Sequence, residues 1–258
     1  METQDLKRIE LEILTAVHDF CEEHHLRYFL WGGTLLGAIR HDGFIPWDDD
    51  IDIAMPRKDF ETFLKLFDSK QYGVSCCEKD SKYPFWHAKA FDKKTQKIEA
   101  IYNKRNFSLG VDIDIFLLDT YEDVREVQKS VVWRRRQIKN HWRSLMGPGT
   151  WKQKLMGFFY RNILGKDANR TARTINKKAQ SYGVDGTGLM LYADCNVKEP
   201  LFLENEWFAQ RELHKFEDKR LYIPAGYDAL LQACYGDYMT PPPIEKQVPH
   251  HSFVARYL

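Results

Sequence analysis

Apolar residues recur at spacings of three and four from Leu6 through Ile9, Ile13, Leu14 and Val17 to Phe20. This period predicts an amphipathic helix ending near His24-His25. A short strand is expected at Tyr28–Trp31. It breaks at Gly32-Gly33, where Thr34 can cap a helix carrying Leu35, Leu36 and Ile39. Gly43 and Pro46 mark a loop. The period then falls to two. Asp50-Ile51-Asp52-Ile53 reads as a strand to about Met55, with carboxylates leaving one face and isoleucines the other. Pro56 opens the next helix, whose apolar face is Phe60, Phe63, Leu64 and Phe67.

Short β-like runs follow at Tyr72–Cys77, Trp86–Phe91, Gln96–Ile101 and Gly110–Phe116. The last contains VDIDIF, a second strand in which aspartates (Asp112 and Asp114) alternate with apolar residues. From Glu122 to Ala179 the composition is helical and basic, split by Gly147-Pro148-Gly149. A further β-like run is expected at Lys219–Ile223 and a helix around Tyr227–Cys234. The helix leads into YGDYMTPPP, whose triple proline suits neither helix interior nor central strand. Short β-like runs set among helices predict a chain of mixed α and β content.

The 258 residues suffice for a substantial core, and 43% hydrophobic with 29% charged is ordinary for a globular chain. The net charge of +1 hides an asymmetry. Residues 121–180 hold 15 Lys/Arg against 4 Asp/Glu, so the rest of the chain is acidic. Trp133, Trp142, Trp151, Phe158 and Phe159 are interleaved with those cations. The mixture suits a solvated or packed helical subdomain, or a membrane surface where basic groups meet anionic lipid. Nucleic acid is not expected, because no recognised binding motif accompanies the charge. No apolar run approaches the length of a bilayer span. Five cysteines (Cys21, Cys76, Cys77, Cys195 and Cys234) form no metal spacing, and no secretory signal precedes them. The expectation is reduced thiols and a cytoplasmic location, peripheral to the inner face of the membrane if the basic segment meets lipid.

The chemistry concentrates in WGGTLLGAIRHDGFIPWDDDIDIAM, Trp31 to Met55. Asp48, Asp50 and Asp52 stand at alternate positions, with Asp49 pointing the other way. Crowded carboxylates repel, and a divalent cation offsets that repulsion; magnesium, or manganese, suits hard oxygen ligands. If the two acidic strands lie side by side, Asp50, Asp52 and Asp114 converge on one pocket suited to displacement at phosphorus. Gly32 and Gly33 would let a phosphate approach a helix N-terminus. Arg40, His41 and Lys89 are candidate phosphate partners.

The run GGTLLGAIRHDGFIPWDDDIDIAMPR closely resembles the LicD family of phosphotransferases, as do IDIFLLD at Ile113–Asp119, YGDYMTPPP at Tyr235–Pro243 and the HHSF after it. That family is similar in turn to fukutin and fukutin-related protein. The resemblance implies an α+β fold, with a nucleotidyltransferase-like catalytic core over 1–120 made of a small mixed β-sheet flanked by helices. A basic, aromatic-rich helical segment would follow over 121–182, and a C-terminal part over 183–258 would pack on the core and complete the substrate site. It implies magnesium-dependent transfer of phosphocholine from CDP-choline to a sugar of a cell-surface glycan precursor, such as teichoic acid, lipopolysaccharide or capsule. Ribitol phosphate or another polyol phosphate is the alternative cargo, and the acceptor is expected to be lipid-linked. Carried over by position, Asp48, Asp50, Asp52 and Asp114 would hold metal. Asp50, Asp52 and Asp114 would be catalytic, with Asp114 a candidate base. Gly32, Gly33 and Thr34 would seat donor phosphates. The family's IDIFPLD stands here as IDIFLLD, which leaves the aspartate in place.

A quaternary ammonium binds over ring faces, and Trp47, Tyr83, Phe85 and Trp86 lie near the acidic motifs; each also reads as core. Tyr235 and Asp237 flank a turn that serves a substrate or ends a helix. His250 and His251 suit a phosphate or are incidental, and Glu217 and Arg220 suit an ion pair or an acceptor contact. Asp112 reads as a solvent-side strand residue.

Overall fold

The computed structural model describes residues 1–99, 107–121, 167–180, 189–192, 203–249 and 253–258, with single residues and short runs between 125 and 163. The predicted N-terminal helix is α1, Thr3–Glu23, and His24 is its C-cap. The residues that set its period, Leu6, Ile9, Ile13, Leu14 and Val17, are all buried. Each contributes roughly 1.5–3 kcal/mol by leaving water.

Next come β1 (Phe29–Leu30), α2 (Gly32–His41), β2 (Asp52–Pro56) and α3 (Arg57–Leu66). Two local expectations need correction. Trp31, not Thr34, is the N-cap of α2. The Thr34 hydroxyl instead accepts the Asp52 N–H at 2.8 Å, tying the helix to β2. The strand begins at Asp52, so residues 48–50 approach it in an irregular turn, with the Asp48 N–H donating to the Ile45 carbonyl.

Four strands follow: β3 (Tyr72–Ser75), β4 (Ala88–Asp92), β5 (Thr95–Glu99) and β6 (Asp112–Tyr121). Further on come a π-helical turn at Phe159–Ile163, α4 (Ala168–Gln180) and β7 (Leu189–Tyr192). The chain ends with β8 (Arg211–Phe216), β9 (Lys219–Pro224), α5 (Tyr227–Tyr235) and β10 (Phe253–Tyr257). Ala100 and Ile101 of the third β-like run and the Gly147-Pro148-Gly149 break lie outside the described residues.

The main sheet runs β1-β2-β6-β4-β3, with β7 pairing the far end of β6. It is mixed: β2 and β6 are parallel, while β1–β2, β4–β6, β3–β4 and β6–β7 are antiparallel. The two acidic strands are therefore neighbours, in a register that sets Asp52 opposite Asp114. On its other side β6 sets Asp114 opposite Lys89. Helices α1, α2 and α3 pack on this sheet, giving the expected α+β architecture of a mixed sheet flanked by helices. Small two-stranded sheets, β8–β9 and β5–β10, complete the described structure.

A second apolar cluster joins Cys77, Tyr83, Trp86 and Phe107 to Ala168, Ala172 and Ile175 of α4, with Phe85 and Trp133 packed against it. Asn169 fastens α4 there by donating to the carbonyls of Cys77, Asp80 and Tyr83 at 2.8–3.0 Å. The basic segment is also anchored. Arg134 is fully buried and donates to Asp119 at 2.9 Å, and Asp119 also receives two bonds from Arg57. A buried cation of this kind is held only by pairing, so Arg134 is part of the core and not of a solvated face.

Candidate active site

A cavity of about 530 Å³ opens beside the first turn of α2. Asp48, Asp50 and Asp52 form its acidic side, joined by Gly33 from α2. Arg40 and Trp47 come from the same stretch of chain, and Tyr235, Asp237 and Tyr238 come from the far end of the sequence. The turn after α5 explains this reach. Gly236 caps the helix with φ +70°, and the reversal carries Tyr235 and Asp237 to the cavity. The segment is both a helix terminus and a wall.

The carboxylates press on the helix N-terminus. Gly32 has φ +55°, and a Cβ there would lie 3.1 Å from Asp52 Oδ2; one on Gly33 would lie 2.8 Å from Asp48 Oδ2. Glycine permits both the left-handed backbone and the close approach. The positive end of the α2 dipole favours the anionic groups that gather there.

Negative charge is nonetheless in excess. Burial, reinforced by Asp50 and Asp49, pushes the Asp48 carboxyl up to about 7. Side-chain contact with Asp50 adds to that rise, since two carboxylates so close repel when both are ionised. Asp52 is raised well above the ordinary range by burial and then by Asp50, Asp114 and Asp48, with Lys89 opposing. Carboxylate oxygens of Asp48, Asp49 and Asp50 lie within 4.8 Å of one another. Asp49 was expected to point away. It is buried and off the cavity wall, but strict alternation fails before β2 begins, so its carboxylate stays close to its neighbours. A donor set of crowded, partly protonated carboxylates fits a divalent cation.

Asp114 has a different environment. Lys89 Nζ lies 2.5 Å from its Oδ1 and His87 Nε2 lies 3.5 Å from its Oδ2. Burial raises its pKa, but Lys89, His87 and Lys97 outweigh that and hold it at about 2. Asp112 is buried, not solvent-side, and binds Lys89 at 2.7 Å and Lys97 at 3.5 Å. Asp114 is therefore a poor proton acceptor in this arrangement and does not line the cavity. Lys89, buried between two aspartates, is their counter-ion and not a cavity wall.

Arg40 is the cation among the described residues lining the cavity. Its guanidinium sits 6.0 Å from the Trp47 ring centroid, donates to the Tyr238 carbonyl at 3.0 Å and to His41 Nε2 at 2.9 Å, and has its pKa lowered by burial. His41 touches Arg40 and lies off the wall. Of the four aromatics considered for an ammonium cage, only Trp47 lines the cavity. Tyr83, Phe85 and Trp86 belong to the second apolar cluster, because the β4 approach turns them towards α4.

Glu217 accepts the Phe44 N–H and Arg220 donates to the Leu213 carbonyl, so among the described residues they do not pair with each other. His250 and His251 lie outside the described residues. The sequence reading missed Leu36, Ile45 and Thr240 on the wall, and His87 and Lys97 behind Asp114. YGDYMTPPP signalled Thr240; nothing local signalled the others.

Residues 25–159 match the LicD/FKTN/FKRP nucleotidyltransferase domain family. The chain is 31% identical over 252 residues to the lipopolysaccharide cholinephosphotransferase LicD of Haemophilus influenzae, covering 93% of this chain and 92% of that protein. A segment of 34 residues is 53% identical to human ribitol 5-phosphate transferase FKRP, covering 13% of this chain and 7% of that protein. An uncharacterized protein of Rickettsia prowazekii is 36% identical over 67 residues, a quarter of each chain. Domain match and near full-length similarity coincide with an acidic cavity built from the same motifs: the chain is a phosphotransferase of the LicD family.

Proposed function

We propose that the chain transfers phosphocholine from CDP-choline to a sugar hydroxyl of a cell-surface glycan precursor, releasing CMP, with magnesium bound at the aspartate cluster. The observation that carries this reading is the wall of Asp48, Asp50 and Asp52 at the α2 N-terminus, in one cavity with Arg40. Full-length similarity to a cholinephosphotransferase supports the choice of cargo. The core is read as nucleotidyltransferase-like, and residues 183–258 as the part that completes the substrate site.

Asp48, Asp50 and Asp52 would hold the cation, which supplies a Lewis acid for phosphate oxygens and neutralises the carboxylates. Without neutralisation, a donor diphosphate reaching the α2 N-terminus meets three like charges. Arg40 offers a planar guanidinium to a donor phosphate from a pose fixed by Trp47 and the Tyr238 carbonyl. The proton of the attacking hydroxyl passes to a carboxylate on the wall, not to Asp114, whose pKa is depressed. Asp114 keeps its place beside Asp52 and completes the acidic set, with Lys89 balancing it. A cytoplasmic location fits the substrates, and no helix among the described residues is long and apolar enough to cross a membrane.

Polyol phosphate is the second reading, favoured by the 34-residue match to a ribitol 5-phosphate transferase. The test is a panel of CDP-choline, CDP-ribitol and nucleoside triphosphates with magnesium and a glycan acceptor. CMP release is followed by chromatography and the product by mass spectrometry. The expected result is a phosphocholine mass increment from CDP-choline. An increment from CDP-ribitol alone selects the second reading, and no CMP release from either CDP donor sinks both.

A further inference from the structure

The wall that YGDYMTPPP adds to the cavity is a turn, and a turn holds a shape only where it is tied down. Most of its ties are internal or lead to the end of α5. The Gly236 N–H donates to the Gln232 carbonyl and the Tyr238 N–H to the Gly236 carbonyl, each at 2.8 Å. Thr240 Oγ1 donates to Asp237 Oδ2 at 2.7 Å. Among the described residues, a single side-chain bond joins the turn to the start of α5: the Tyr238 hydroxyl donates to Asp228 Oδ1 at 2.5 Å. A bond from a hydroxyl to a carboxylate at this distance is among the stronger ones. It pushes the Tyr238 phenol up to about 12, so the hydroxyl keeps its proton and remains the donor. Asp228 is fixed in turn. It lies in the first turn of α5, where the helix dipole favours a carboxylate, and its Oδ2 accepts from Gln232 Nε2 at 2.9 Å.

The backbone of the same tyrosine holds Arg40. The Tyr238 carbonyl accepts Arg40 Nη1 at 3.0 Å, and both residues line the cavity. The other printed restraints on the guanidinium, the Trp47 ring and His41 Nε2, come from its own stretch of chain. The bond to Tyr238 spans 198 residues and ties Arg40 to the opposite wall. A long side chain that must be ordered on binding loses affinity, and one already ordered does not. We propose that Asp228 is a positioning residue for the donor: through the Tyr238 hydroxyl it sets the C-terminal wall and the pose in which Arg40 meets the donor diphosphate. The assignment rests on the reading of Arg40 as the donor-phosphate cation. Asp228 does not line the cavity, so its action on the substrate is indirect.

The test is calorimetry of CDP binding to the full chain in the presence of magnesium, since CDP carries the diphosphate common to both proposed donors. Asp228→Ala and Tyr238→Phe should each weaken binding about fivefold, and the two together no more than either alone. With Arg40→Ala already present, each should cost less than about 1.5-fold, because the effect passes through the guanidinium. Asp228→Asn should recover most of the affinity, because its amide oxygen still accepts the phenol proton. Should Asp228→Ala impair α5, Tyr238→Phe carries the test, since it keeps the ring and removes only the hydroxyl. Equal affinity of the wild type and both variants overturns the proposal and leaves the donor site standing. So does an equal loss with and without Arg40, which makes Asp228 a structural support only. A wild-type chain that binds no CDP overturns the donor reading, and the positioning role falls with it.

Discussion

The ends of β2 and β6 carry nearly the same sequence, DIDIA and VDIDIF, and lie side by side, yet their aspartates are in opposite electrostatic states. At β2, Asp48 and Asp52 face other carboxylates and are driven towards protonation. At β6, Asp114 and Asp119 are held ionised by Lys89, His87, Arg57 and Arg134. A charge pattern on a strand therefore does not define a site; the counter-ions supplied by neighbouring elements do. At the β2 end the described carboxylates outnumber the cations near them, Arg40 and Lys89, which suits an external cation. The β6 end is internally neutralised and suited to holding the sheet together.

The sharpest break of this comparison is in catalysis. Asp50→Asn and Asp52→Asn should each lower transfer by about 10⁴-fold, roughly 5 kcal/mol of transition-state stabilisation. The fold should remain, since each change removes a crowded charge. Initial rates at saturating magnesium, with circular dichroism on the same samples, check this. Retention of more than a tenth of the activity by either variant refutes the assigned cation ligands.

The second effect is on stability and falls on β6. Lys89→Met leaves Asp112 and Asp114 buried without their shared counter-ion, which should destabilise the chain by about 3 kcal/mol. Urea denaturation measures it. A loss below about 1 kcal/mol means that Lys97 and His87 suffice and that Lys89 has another role.

How much of this contrast was legible beforehand depended on the range of the interactions. Helix α1, the Gly32-Gly33 break and the start of α3 at Pro56 follow from local period and backbone chemistry, and the structure places them within one or two residues of the sequence reading. Strand β8 was missed because RELHKF has one fully buried residue and many charges; it exists by pairing with β9. Strand β10 was missed because its partner is β5, some 150 residues earlier. The site divides in the same way. Asp48, Asp50, Asp52, Trp47, Tyr235 and Asp237 sit in motifs that themselves form the cavity wall. Lys89, Asp112 and Trp86 look equally polar or aromatic in sequence, but the β4–β6 register and the docking of α4 decide where their side chains go.

A third effect distinguishes the two strand ends by pH. Asp48 has a folded pKa above its unfolded value, so the stability it contributes is present below about pH 4 and lost as pH rises towards 7. Asp52 shifts in the same direction. Asp114 has a lowered pKa, so its contribution is present above about pH 4 and lost on acidification towards 2. Between pH 5 and 8 the β2 end dominates. The chelator-treated chain should lose on the order of 2 kcal/mol relative to Asp48→Asn across that range. Magnesium should restore it at pH 8. Thermal melts of both chains, with and without magnesium, test the sign. A wild type whose stability relative to Asp48→Asn rises with pH contradicts the charge excess at β2.

The smallest effect concerns the cation on the cavity wall. Arg40 faces the same space as the β2 carboxylates but is held by Trp47, His41 and the Tyr238 carbonyl, with no carboxylate among its hydrogen-bond partners in the described residues. Such a guanidinium is placed for an incoming anion. Arg40→Ala should raise the KM for CDP-choline about tenfold, near 1.4 kcal/mol, with a smaller change in kcat. Arg40→Lys should recover little, because an ammonium cannot reproduce the planar fork or its stacking on the ring. Trp47→Ala removes only the cation–π support, worth about 0.5–1 kcal/mol, so its KM should rise roughly three- to fivefold. Steady-state kinetics separates these outcomes. If Arg40→Ala lowers kcat and leaves KM unchanged, Arg40 acts on the transition state and not on donor binding. If Trp47→Ala costs more than Arg40→Ala, the ring itself meets the substrate, and the cavity's cation is then support for the aromatic wall.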